Sequence, residues 1–305
     1  MQNRNLLGVV YLMGGVFVFS LQDAILKFIS LTGSYPVTEA VAIRSIVAIP
    51  ILLSLLAMGP GLWALASANW MWLLVRALVL FLSYTTYYVA FPALPLADAV
   101  ALYFTVPLFV TALAGPFLGE RTGLMGWVAV LGGFVGVAVM LQPGTGVFDW
   151  AALLSLASAL LYASSMLMTR KLGVSESASV MSFYQNILVL IGALTITGFS
   201  QFAGSLDGAH PSIAFLLRQW EMPSPLHLLL MGACGVIAAV GMVLLSQAYR
   251  VGRASLVTSF EYTGILWAPL WGFTFFSEVP RMSTLIGGGM IVIAGLVALR
   301  SSARG

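Results

Sequence analysis

Charge is nearly absent from this chain over long stretches, and that absence decides what it can fold into. Mostly apolar runs recur at 6–30, 38–58, 70–92, 97–118, 122–142, 150–170, 178–202, 226–249, 253–276 and 281–300. Crossing a bilayer as an α-helix takes about 20 residues, and each run is of that order. Only 8 % of the 305 residues are charged, against 60 % hydrophobic. Soluble domains carry about 25 % charged residues, so this chain cannot clothe itself for water. In oil each peptide group must be paired within its own segment, which makes helices the solution. The expected fold is an all-α membrane protein of ten transmembrane helices. The first run holds Asp23 and Lys27 and lacks a small-x-small cleavage site, so it reads as a retained helix rather than a secretory signal.

Helix breakers separate the runs: Gly59-Pro60-Gly61, Pro92 with Pro95, Gly144 to Gly146, and Pro223 with Pro225. Trp63, Trp70, Trp72 and Trp150 stand near span ends, where an indole sits well among headgroups. With both termini cytoplasmic, the inner side holds Arg4, Arg121, Arg170, Lys171, Arg250, Arg253, Arg300 and Arg304. The outer side then holds Lys27, Arg218 and Arg281. That imbalance favours both termini inside, at a bacterial inner membrane. The longest connection, from about 203 to 225, carries Ile213, Leu216, Leu217 and Trp220 at helical spacing. It reads either as an amphipathic helix on the outer surface or as an irregular connector.

A five-span unit repeats, at 1–142 and again at 149–301. With a shift of 158, Ala90, Thr105, Leu108, Phe117 and Glu120 meet Ala248, Thr263, Leu266, Phe275 and Glu278. An odd number of spans per unit turns the second unit over relative to the first. Inverted repeats let one fold open in two directions around a site at the midplane.

The stretch from Phe91 to Phe109 and the sequence Leu118-Gly119-Glu120-Arg121, followed by the glycine-rich 131–136, resemble the drug/metabolite transporter superfamily. So do Phe260 to Ala268 and Ser277-Glu278-Val279-Pro280 in the second half. The likeness covers nearly the whole chain and points to the ten-helix EamA-type family. It implies a central cavity between inverted halves, lined by spans 1, 3, 4, 6, 8 and 9. It also implies export of amino acids, aromatic ones included, or of other metabolites; some similar members import cofactor-sized molecules. Many such relatives carry an aromatic residue before the fourth-span proline, where this chain has Val106 before Pro107.

The residues suggest a site of the same kind. Tyr84 and Tyr88 share a helix face, and Tyr103 and Tyr162 lie within spans. A tyrosine offers a ring to an apolar substrate and a hydroxyl to its polar end. The resemblance places an aromatic residue in the cavity at Tyr162. Glu261 falls near mid-membrane, where a carboxyl must be protonated, paired or wet. It could hold a substrate amino group or proton, or pair with Arg44. Gln247 joins the candidate substrate-binding set, although interhelical hydrogen bonding is the leading role for it and for Gln185 and Asn186. Asp23 and Lys27 stand one turn apart, with Glu39 and Arg44 opening the next span. They read as a gating charge cluster or as plain structural pairing. Asp98 reads as a helix cap. Pro107 and Pro269 are candidate hinges. Gly132, Gly133, Gly136 and Gly287 to Gly289 allow close helix packing, within a monomer or across a homodimer.

No P-loop is present, so an ATP-driven pump is not indicated. Nor is there a catalytic triad, an H-E-x-x-H motif or a carboxylate pair. One cysteine, Cys234, and two histidines make no metal site and no intrachain disulfide. No cofactor, no nucleic acid and no enzymatic activity are expected; the partners are a small-molecule substrate and the lipid bilayer. The leading expectation is a secondary transporter of small metabolites, amino acids first, working by alternating access and exporting its cargo. An importer of cofactor-like molecules, a channel and a membrane-embedded lipid enzyme are the rivals.

Overall fold

The structure is a computed structural model and describes residues 2–33, 35–103, 105–106, 108–110, 112–113, 123–142, 149–173, 175–200, 210–251 and 263–302. The described residues are helical throughout, with no strand among them. The helices are α1 (Gln2–Thr32), α2 (Val37–Met58), α3 (Trp70–Ala90), α4 (Leu96–Tyr103), α5 (Leu124–Leu141) and α6 (Ala151–Leu172). They continue with α7 (Ala178–Ser200), α8 (Pro211–Leu217), α9 (Pro225–Val251), α10 (Gly264–Phe276) and α11 (Met282–Ser302). Six of them contain segments long and apolar enough to cross a membrane: α1, α2, α3, α6, α7 and α9. Shorter apolar stretches follow at Leu131–Met140, Leu266–Phe276 and Met282–Ala294. The chain is thus an all-α integral membrane protein. Its outer surface is apolar, as lipid demands: Leu124, Leu131, Phe273 and Ile293 are all well exposed.

Local chemistry sets the ends. α2 stops at Gly59-Pro60-Gly61, where Gly61 takes φ 86°, a conformation that a side chain would resist. α8 starts with Pro211 after His210, whose ring accepts from the Ser212 N–H. The long connection does contain a short helix, α8, which buries Phe215 in the protein while Ile213 stays exposed. Phe215 is buried, and the Trp220 indole donates to Thr38 Oγ at 3.2 Å. Docking there hides the ring from water without needing a bilayer.

The principal packing partners are α1 with α9 and α10, α6 with α3 and α4, α2 with α9, α7 with α3, α2 with α7, α4 with α10, and α5 with α11. Exchange α1 to α5 for α6, α7, α9, α10 and α11 in order, and the same pairings return. Small residues make the closest of these contacts. Ser83 Oγ donates to the Ser158 carbonyl at 3.0 Å, and Ser158 Oγ returns a bond to the Ser83 carbonyl at 2.8 Å. At the α5–α11 seam, a Cβ on Gly136 would come within 2.8 Å of the Gly287 carbonyl oxygen.

Candidate substrate cavity

A cavity opens where α1, α3, α4, α6, α9 and α10 converge. About 130 Å³ of it is available to the centre of a water-sized molecule. One such molecule needs roughly 10–15 Å³ on this measure, so the space suits an organic solute rather than a bare ion.

Tyrosines form one wall. Tyr84, Tyr87, Tyr88, Tyr103 and Tyr162 all line it. Their rings run on from one to the next: Tyr84 to Tyr88 at 6.3 Å, Tyr88 to Tyr87 at 5.5 Å, Tyr87 to Tyr103 at 4.9 Å and Tyr103 to Tyr162 at 5.5 Å. Opposite stand Phe19, Val16 and Trp271, the indole of which donates to Ser20 Oγ at 3.0 Å. Trp267 extends this side, stacking on Trp271 at 6.1 Å and meeting Phe17 edge-on at 4.9 Å. The cavity carries one carboxylate among the described residues that line it, Asp23, which accepts from the Tyr87 hydroxyl at 3.1 Å.

Of the expected substrate-binding residues, Tyr84, Tyr88, Tyr103 and Tyr162 are brought together here. Gln247 is half-buried on α9, two residues beyond Leu245, and is not among the lining residues. Glu261 and Pro107 lie outside the described residues. Pro269 sits inside α10, one residue after the cavity-lining Ala268.

The four charges expected as a cluster are dispersed. Lys27 does not pair with Asp23 one turn away. Its Nζ meets Glu278 Oε1 at 2.8 Å and donates to the Leu94 carbonyl at 2.6 Å. Glu278 Oε2 in turn accepts from the Leu96 N–H at 2.9 Å. A position one turn on points past the cavity to the helix ends, where a partner from α10 is within reach. This knot ties α1, the α3–α4 turn and the end of α10 just above the cavity, and Leu96 belongs to both. Glu39 accepts from the Glu221 N–H at 3.3 Å, holding the long connection. Arg44 is buried at 1 % exposure and faces Gln22, behind the tyrosine wall. Asp98 accepts from Thr284 Oγ at 2.5 Å, linking α4 to α11 as well as standing in the first turn of α4. Asn186 Nδ2 donates to the Ser45 carbonyl at 2.9 Å, an interhelical bond between α7 and α2.

Sequence reasoning missed Phe19, Ser20 and Trp271 as wall residues and Gln22 as a buried polar group beside Asp23. A glutamine next to an aspartate deep in an apolar helix is a legible signal. The aromatic residues carry none, because lipid-facing and cavity-facing rings look alike in one dimension.

A helical membrane bundle with an aromatic, solute-sized cavity where six of its helices converge fits a transporter of small molecules. The chain belongs to the EamA-like transporter family, whose match spans residues 6–142. It is 30 % identical over 295 residues to the pseudopaline exporter of Pseudomonas aeruginosa, covering 96 % of each chain. It is 28 % identical over 297 residues to the riboflavin transporter of Vibrio cholerae, covering 96 % of this chain and 93 % of that one. With the S-adenosylmethionine uptake transporter of Rickettsia felis it shares 27 % identity over 228 residues, 75 % of this chain and 71 % of the other. A solved crystal structure superposes on all of this chain and 99 % of its own, with a TM-score of 0.62 and 16 % identity; that likeness speaks to fold alone.

Proposed function

We infer that this chain is a secondary transporter for metabolites with a flat ring system, cofactor-like molecules foremost. The observation that carries this reading is the run of five tyrosine rings along one cavity that also holds a carboxylate, Asp23. Stacking on aromatic rings favours flat cargo, and each such contact adds about 0.5–1.5 kcal/mol beyond area burial. Relatives named for riboflavin and S-adenosylmethionine support it, since both compounds carry a flat nitrogen heterocycle. Aromatic amino acids are the second reading, favoured by Asp23, which suits an amino group within an aromatic cage.

The two sets of helices, 1–142 and 149–301, would act as inverted repeats of five spans each; the pairing pattern that survives their exchange supports this. Alternating access then follows, with the Lys27–Glu278 knot closing one end and Pro269 bending α10 as the other opens. With both termini cytoplasmic, the closed end is the outer one and the cavity loads from inside, the order that export requires. Named relatives include both an uptake transporter and an exporter, so direction needs its own measurement.

Proteoliposomes test the reading. Labelled riboflavin, S-adenosylmethionine, phenylalanine and tryptophan are offered from either side. Saturable flux of at least one ring compound, abolished by Tyr84→Ala with Tyr162→Ala, is the expected result. Flux of none of them, or flux indifferent to those substitutions, would sink it.

A further inference from the structure

We propose that the cavity floor recognises hydrogen-bond donors on its cargo, and that Gln22, one layer behind the wall, is the positioning residue that sets this polarity. The proposal rests on the reading of the chain as a carrier of flat ring compounds and names the chemistry of the ring edge that enters first.

Gln22 is fully buried on α1. Its side-chain amide could be turned either way. One orientation lets the NH₂ donate to the Tyr88 hydroxyl at 2.6 Å but also points it at Arg44 and the oxygen at the Cys234 carbonyl, setting donor against donor and acceptor against acceptor. The other lets the NH₂ donate to the Cys234 carbonyl at 3.2 Å. Its oxygen then accepts from the Tyr88 hydroxyl at 2.6 Å and from Arg44 Nη1 at 3.1 Å. In that second orientation the amide oxygen meets only donors and the amide nitrogen only an acceptor. Arg44 has no hydrogen-bond partner among the described residues for Nε and Nη2, and its Nη1 donates to the Gln22 amide oxygen. A guanidinium on the amide oxygen holds the amide in place, since hydrogen bonds to charged groups are the strong ones.

A phenol has one proton. Tyr88 commits its proton to Gln22, and Tyr87 commits its own to Asp23 Oδ2. Two tyrosine oxygens and a carboxylate therefore leave lone pairs for whatever enters. Arg44 is buried and is not among the lining residues, so it offers no donor there. The cargo must bring the protons, as a ring or imide N–H, an ammonium or a hydroxyl. Cargo presenting a carbonyl or carboxylate to this floor meets acceptor against acceptor.

The test uses the purified full chain. Ultraviolet resonance Raman spectra of the ligand-free protein, wild type minus Tyr88→Phe, isolate the tyrosine doublet of Tyr88. A pure donor signature is expected, lost in Gln22→Leu and restored in Gln22→Glu, whose carboxylate still accepts from Tyr88 and Arg44. A Tyr88 hydroxyl that reports as an acceptor in the wild type overturns the proposal. Binding is then compared within two matched pairs by quenching of tryptophan fluorescence: riboflavin with its N3-methyl derivative, and phenylalanine with its N,N,N-trimethyl derivative, which keeps the positive charge but has no N–H. Within at least one pair, the donor-bearing member should bind about tenfold tighter, a gap that narrows in Gln22→Leu and returns in Gln22→Glu. Equal wild-type affinity within every pair that binds is the contrary result. Binding of neither pair defeats the ring-compound reading instead, and the spectrum alone then decides the polarity. Should Gln22→Leu fail to fold, the wild-type spectrum and wild-type pairs still decide.

Discussion

At the scale of single residues, the informative groups are those that a membrane should not tolerate. Lys27 is 3 % exposed and Glu278 25 % exposed at the side chain, so their ion pair is largely desolvated. Removing one partner of a buried pair typically costs about 3–5 kcal/mol, because the other charge stays behind. Glu278 retains some solvent, so we expect about 2 kcal/mol for Glu278→Leu, read as a lowered thermal midpoint in detergent. Adding Lys27→Met should recover most of that loss, since an apolar pair of similar volume is often neutral. No recovery in the double variant would mean that the knot acts through the backbone bonds to Leu94 and Leu96 alone. In the wall, Tyr84→Phe keeps the ring and should change KM about twofold or less, whereas Tyr84→Ala should raise it about three- to tenfold, the worth of one aromatic contact. Flux titrations over cargo concentration separate the two. Cys234 is fully buried. It should resist maleimide in the native protein and react only once the protein is denatured in SDS.

At the scale of elements, glycine decides how near two helices come. In lipid, packing rather than exclusion of water holds helices together, so close approach matters more than apolarity. At the α5–α11 seam a Cβ on Gly287 would meet the Gly136 carbonyl oxygen at 2.5 Å, and neither backbone can step aside. We expect Gly287→Ala to cost about 1–3 kcal/mol, the range of overpacked cores. On the same two helices, a Cβ on Gly132 or Gly289 meets nothing within 4 Å. Gly132→Ala or Gly289→Ala should be neutral or stabilise by about 0.5–1 kcal/mol. Thermal unfolding of the set in one detergent checks the contrast. Equal stabilisation at all of these sites would show that helix propensity, not the seam, governs the result. Much at this scale was legible in advance. Six of the expected runs are described helices long and apolar enough to cross a membrane, and shorter apolar helices lie in others, because breakers such as Gly59-Pro60-Gly61 act locally. The long connection was harder: Phe215 reads the same whether its face meets lipid or protein.

For the whole molecule, the proposed transport cycle makes the Lys27–Glu278 tie and Pro269 in α10 parts of one device. Lys27→Cys with Glu278→Cys, bridged by a short bis-methanethiosulfonate reagent that spans the reach of the native pair, should arrest flux, with transport returning on reduction. Flux that persists in the cross-linked protein would remove the knot from the transport cycle. Because Cys234 is buried, the same thiol chemistry can be run without replacing it, and it can also report which face of the bilayer each loop occupies.

Residue order alone determined that the chain lives in a membrane as helices, and roughly where each helix lies. Both follow from local facts: the cost of charge in hydrocarbon and the behaviour of glycine and proline along the chain. It also supplied the tyrosines. Tertiary structure decided which groups meet: Lys27 with Glu278 rather than Asp23, Arg44 with Gln22, and five tyrosines around Asp23. Those choices depend on how α1, α3, α6 and α10 cross. Crossing is set by packing between segments far apart in the chain, which no spacing along it encodes.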